Sequence, residues 1–453
     1  MAKKHSEKKK KPLRALIVFL SIILALAIIY CGAVFVAVPI LIKDMEPAMR
    51  DQIQPSLLWL PPKLLSYPFK AKTNAAVVSA KDKVGGFMKG ICHPSENYDL
   101  IKGAGIQWDR ADIPFPYETD ENSKLSEGYI NWKAKMQGYV DNGISILAVT
   151  PYPSTFLQHG IDPRLPENDV RIQEVAKFLI TDLKDLIKAV QISNELGVAR
   201  FMDPLDSAGC VHFMAIQLEA VAPVKGDIIV GYNSAGPQVD QHTAMRPYHK
   251  YCDYIGVDIY GGCFGGLDIM NWLPIFDLIP AFLYSLTGLP IIMAEFGYIS
   301  GGAPKTQAER DAILNDFGFD SEEAARADID NFITKLPERF RKDIEVAASN
   351  KANFVFGLEM RNHLYREMPA NIVLKDFPHS PEGQADYYEY MIPHLAEKPY
   401  IIGEFIYSWA DDDICYVCGF SDCPIETRWG IVTFDEQPKL SYAAVKNAFE
   451  SIK

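Results

Sequence analysis

The stretch VRIQEVAKFLITDLKDLIKAVQISNE, residues 170–195, carries the two periodicities that decide the fold. Over 170–187 the apolar side chains recur every three or four residues, the period of a helix with one buried face. At 189–193 (AVQIS) the pattern becomes a short apolar run, the mark of a strand covered on both faces, and it ends on Asn194 and Glu195. A helix that hands over to such a strand is a piece of a parallel α/β fold.

The same strand signature recurs on either side, at 87–92, 106–113, 144–150, 228–232, 254–260, 290–294 and 400–407. Helical patterns lie between several of them, at 209–221, 306–315 and 384–396. Eight strands alternating with helices predict a closed (β/α)8 barrel, the TIM-barrel form of the α/β class. A nucleotide-binding open sheet would carry a phosphate loop or a dinucleotide fingerprint after a strand. The chain has neither, so no such cofactor is expected. The run GGCFGG at 261–266 follows a strand but opens no helical pattern, and it reads as a loop. The barrel is longer than the ~250 residues usual for the fold, so insertions are expected. The main one is placed between strands seven and eight, at 298–383, with an extra strand at 353–358 (NFVFGL).

The ends of the chain differ in character. Residues 1–14 carry six lysines and Arg14 against Glu7, a net of +6, so with −13 overall the remainder carries −19. An acidic body with no basic stripe excludes nucleic acid as a partner. Residues 15–42 contain no charged residue, a stretch longer than the roughly 20 residues a helix needs to cross a bilayer. The lysines on its N-terminal side place residues 1–14 in the cytoplasm and the body outside. The expected organisation is a basic tail (1–14), a transmembrane signal-anchor (15–42), a proline-broken juxtamembrane connector (43–82) and the barrel (83–453).

Of eight cysteines, Cys31 falls in the anchor and seven in the body. Cys415, Cys418 and Cys423 have zinc-like spacing, but no fourth ligand stands nearby, so a disulfide-pinned loop is expected there and no metal.

Barrel enzymes draw their catalytic groups from the C-terminal ends of the strands. Here those ends supply His93, Arg110 with Asp112, Tyr152, Asn194 with Glu195, Tyr232 with Asn233, Tyr260, Glu295, and Trp409 with Asp411. Singly, each is an ordinary solvated or capping residue. Two glutamates ending apolar runs on strands four and seven are another matter, because those strands face one another across the mouth. Retaining glycoside hydrolysis needs such a pair ~5–5.5 Å apart: one carboxylate attacks the anomeric carbon, and one carboxylic acid protonates the departing oxygen. The attacking group must stay ionised, which Arg110 and Tyr260 are suited to ensure.

The segments ISNELG, IIMAEFG and IIGEFIYSWADD resemble the strand-four, strand-seven and strand-eight motifs of the clan of (β/α)8 retaining glycosidases that includes glycoside hydrolase families two and five. GIVTFDEQPKLSYAAVK at 430–446 is similar to the close of the family-two barrel domain. The resemblance implies Glu195 as acid/base, Glu295 as nucleophile and Asn194 as the amide that holds the sugar 2-hydroxyl. It implies Arg110 and Tyr260 as conserved-type partners of the site and Trp409 as a floor beneath the sugar. His93, Tyr232 and Asn233 complete the expected substrate-binding set. Asp258 departs from family two, which tends to have Asn there. Glu404 and, more weakly, Glu359 are rival nucleophiles. The expected substrate is a β-linked oligo- or polysaccharide or glycoconjugate. Transglycosylation on envelope glycans and a non-catalytic carbohydrate-binding barrel are the alternatives. A metal-dependent hydrolase barrel is disfavoured, since no His-x-His ends a strand.

Overall fold

A computed structural model describes residues 21, 24–37, 74–264, 273–302, 305–347, 350–368 and 373–452. It divides into two units, residues 1–67 and 68–453. In the first unit the described residues are helical, ending in a π-helical turn at Ala33–Ala37. Most of the expected anchor, 15–42, lies outside the described residues. Among those described, no helix is long and apolar enough to cross a membrane.

The second unit is a closed eight-stranded parallel barrel. Its strands are β1 (Met88–Cys92), β2 (Trp108–Asp112), β3 (Ser145–Val149), β4 (Ala189–Ile192), β5 (Ile229–Ala235), β6 (Tyr254–Ile259), β7 (Ile291–Phe296) and β8 (Ile401–Ile406). Each pairs with the next in the chain, and β8 closes on β1 with Met88 opposite Gly403. β4, β6, β7 and β8 are buried at every position, which is why they read as continuous apolar runs rather than alternating ones.

The helices around the barrel follow local rules. α1 (Ala75–Val84) begins where the Asn74 side chain accepts from the Ala76 amide, and it packs Val77, Ala80 and Val84 inward. It therefore belongs with the barrel, although its first residues fall in the stretch 43–82 read as connector; 43–73 lie outside the described residues. α2 (Tyr98–Gly103) and α3 (Glu127–Asp141) are capped by Asn97 and Ser126. α4 (Asp169–Leu183) buries Ile172, Val175, Ala176, Leu179, Ile180 and Leu183, the apolar stripe visible in the sequence. α5 (Ser207–Val221) starts at Asp206, whose carboxylate accepts from the Gly209 amide at 2.7 Å. α6 (Ile275–Thr287) follows β6, and only short helical turns join β5 to β6.

Between β7 and β8 the insertion is a run of short helices, from Gln307–Asp316 to α7 (Leu358–Tyr365), before α8 (Pro381–Ala396) rejoins the barrel. Glu367, fully buried, fastens it through an ion pair with Arg310 at 2.5 Å. The strand expected at 353–358 is instead helical: the Asn350 side chain accepts from the Asn353 amide at 3.1 Å and starts a turn. No sheet edge remains for such a strand, because β7 pairs directly with β8. α9 (Leu440–Ser451) closes the fold.

Candidate active site

Above the C-terminal ends of the strands lies a cavity of about 710 Å³. Side chains reach it because inward positions alternate along each strand. Arg110 comes from β2, Asp258 from β6 and Glu295 from β7, while Tyr260 stands just past β6 and Tyr407 just past β8. Gly256 makes room for this on β6, since a Cβ there would lie 2.7 Å from the Asn233 Cβ.

Glu295 is held at both oxygens. Arg110 Nη1 donates to Oε1 at 2.6 Å, and the Tyr260 hydroxyl donates to Oε2. Burial opposes the charge on Arg110, but Glu295 and its acidic neighbours outweigh it and keep the guanidinium firmly protonated. Burial, then Glu295, pushes the Tyr260 phenol well above its ordinary range, so it retains the proton it donates. The result is a fixed carboxylate with one charged and one neutral donor.

Glu195 follows β4 in an unusual backbone. Ser193 and Glu195 have φ of 52° and 48°, a left-handed conformation that side-chain-bearing residues adopt only when surrounding bonds enforce it. Those bonds are present. The Ser193 amide donates to the Thr150 hydroxyl at 2.9 Å, and the Glu195 amide donates to Asn233 Oδ1 at 2.8 Å. Between them, Asn194 Oδ1 accepts from Arg110 at 2.6 Å, Asn233 at 2.6 Å and Gln191 at 3.1 Å. With its oxygen so committed, the Asn194 amide has its NH₂ group left to donate into the cavity it lines.

Asp258 joins the two glutamates. Burial, then the charges of Glu295 and Glu195, push its carboxyl well above the ordinary carboxylate range, and it hydrogen-bonds the Glu195 side chain. Burial beside a second carboxyl group thus favours the protonated form of Asp258.

The structure brings together His93, Arg110, Asn194, Glu195, Tyr260 and Glu295 of the expected set, with Asp112 and Tyr152 on the same walls. Three expectations need correction. Tyr232 is fully buried on the outer side of β5, its hydroxyl 2.9 Å from His242 and 3.0 Å from His249. Asn233 supports Asn194, Glu195 and Asp258 from beneath and does not line the cavity. Trp409 is also buried away from it; Trp429 lines the cavity instead, its ring 5.1 Å from Tyr260 and 5.7 Å from Tyr407. Gly297 permits this approach, because a Cβ there would meet the Trp429 ring at 3.1 Å. Glu404 is fully buried, and burial pushes its carboxyl well up despite the opposing charge of Lys89. It is absent from the cavity wall. The Glu359 side chain lies outside the described residues.

Asp258 was legible as the inward position two residues before Tyr260. Trp429, Tyr416 and Glu426, which also line the cavity, come from the long return after β8 and carry no periodic signal.

No family model and no curated protein matches the chain. Among solved structures it is similar to a family-two β-galacturonidase from Eisenbergiella tayi, with 14% identity and a TM-score of 0.47, over 81% of this chain and 51% of that one. It is similar to a β-glucuronidase from Bifidobacterium dentium, with 15% identity and a TM-score of 0.45, over 81% and 47%. It is also similar to a family-39 glycoside hydrolase from Bacteroides cellulosilyticus, with 15% identity and a TM-score of 0.49, over 80% and 63%. These neighbours are glycoside hydrolases. The chain spans about half the length of the family-two structure.

Proposed function

We propose that the chain is a retaining glycosidase acting by double displacement on a β-linked saccharide or glycoconjugate, with Glu295 as nucleophile and Glu195 as acid/base. The observation that carries this reading is the pair of donors on Glu295, Arg110 and Tyr260, beside a second carboxyl pair at the mouth of the barrel. A carboxylate with both oxygens on fixed donors is aimed, as attack on an anomeric carbon requires. Glu195, hydrogen-bonded to Asp258, is suited to protonate the leaving oxygen and then to activate water. Asn194 offers its NH₂ to a sugar hydroxyl. Trp429, whose buried indole nitrogen has no partner among the described residues, offers a stacking wall and a donor.

The body would be held at the outer face of a membrane through residues 15–42. Leu24, Leu26, Ile28, Ile29, Phe35 and Val36 support this, each more than half exposed on their helix.

The test is a mechanism-based 2-fluoro glycoside, chosen by first screening aryl glycosides for turnover. The adduct should map by peptide mass to Glu295, and the products should retain anomeric configuration. An adduct on Glu404, or inverted products, would overturn the assignment.

A further inference from the structure

Away from the cavity, four ligand-type side chains converge. Cys415, Cys418 and Cys423 lie in the return after β8, and His363 comes from α7 in the insertion. All four are buried, none more than 1% exposed. Their ligating atoms lie within 4.8 Å of one another, and no cysteine among the described residues forms a disulfide. The disulfide expected from the spacing is thus not formed, and the fourth ligand that the local sequence lacked is supplied from 52 residues upstream of Cys415.

The distances discriminate between a chance cluster and a coordination sphere. His363 Nδ1 is 3.5 Å from Cys415 Sγ and 3.3 Å from Cys423 Sγ. A tetrahedral zinc ion, with Zn–S of ~2.3 Å and Zn–N of ~2.0–2.1 Å, sets its sulfur and nitrogen ligands roughly 3.5 Å apart. The Cys418 amide donates to Cys415 Sγ at 3.4 Å, the bond a thiolate ligand takes from the backbone of a Cys-x2-Cys turn. Gly419 turns that loop at φ 74°, its amide donating to the Cys415 carbonyl at 2.8 Å. Three soft thiolates and one imidazole select zinc over hard cations, and a closed set of four leaves no position for substrate.

We infer that His363, Cys415, Cys418 and Cys423 form a structural zinc site that staples the insertion to the loop after β8. That loop carries Tyr416, next to Cys415, and Glu426, three residues beyond Cys423, and both line the cavity. The ion therefore ties the barrel insertion to one wall of the site, whatever chemistry the two glutamates perform. In the full-length chain purified from zinc-replete cells, elemental analysis should find one zinc per chain. Exchange with Co²⁺ should give the intense visible bands of a tetrahedral, thiolate-ligated ion, and cysteine alkylation should spare Cys415, Cys418 and Cys423 until a chelator is added. His363→Cys, which keeps four ligands, should retain the metal, and His363→Ala with Cys418→Ser should lower its content at least tenfold. A metal-free native chain with these thiols alkylated or disulfide-bonded would overturn the site. So would undiminished zinc in the double variant. Both outcomes are independent of whether Glu295 proves to be the nucleophile.

Discussion

Glu195 and Glu295 end similar apolar runs, yet their surroundings differ. Glu295 faces a cation and a phenol, which fix both of its oxygens. Glu195 faces Asp258, a second acid whose burial, and then the charges of Glu295 and Glu195, favour its protonated form. On the proposed reading, the residue that departs from the family-two pattern is the one that would tune the acid. A consequence follows for the pH profile. While Asp258 is present, the last proton of the pair leaves against a neighbouring negative charge, at a higher pH than from a lone carboxyl. Asp258→Asn removes that charge and donates to the Glu195 carboxylate, and both changes favour ionisation. The basic limb of kcat/KM should move to lower pH, measured on a substrate with a poor leaving group, whose departure needs the proton. A limb that stays in place or moves up would remove Asp258 from the acid/base pair.

Among the elements, the strands were the most legible part of the chain. Burial on both faces makes each one a continuous apolar run, and the two glutamates stand at or just past the ends of β4 and β7. What lay hidden was orientation and long-range return. β5 runs on to Ala235, beyond the apolar run at 228–232, so Tyr232 sits within the strand and faces outward rather than at its mouth. NFVFGL is apolar enough for a strand, but strands need a free edge, and none exists in a closed barrel. His363 has no local signal, because its partners arrive from the far side of the insertion. The two tryptophans after β8 show the same limit. Trp409 matches the expected motif, yet the chain brings Trp429 back against Tyr260 and Tyr407. Their substitution should separate them. Trp409→Ala removes a core side chain and should cost about 3–5 kcal/mol of stability by denaturant unfolding. Trp429→Ala should raise KM for saccharides severalfold beyond any change it makes to an unhindered aryl glycoside. Equal kinetic losses from both variants would place the sugar floor elsewhere.

At the scale of the whole molecule, charge is partitioned along the chain: +6 over residues 1–14 and −19 over the rest. Such a division has a simple meaning if an apolar segment lies between the two parts. The inner leaflet's negative surface attracts lysines at about 1 kcal/mol each, and the translocated side gains nothing from them. On the described helix at 24–37, Leu24, Leu26, Ile28, Ile29 and Val36 are exposed, while Val34 is buried. On the proposed orientation, an acidic body outside the cell would be kept from an anionic membrane surface by repulsion. Protease added to intact cells should therefore digest the barrel and leave an N-terminal fragment, containing residues 15–42, in the membrane fraction. Moving six lysines from the tail to the stretch 43–73 should weaken or reverse this orientation and protect the barrel. If the unaltered chain is recovered full-length in the soluble fraction, or its barrel is protected in intact cells, residues 15–42 do not anchor it facing outward.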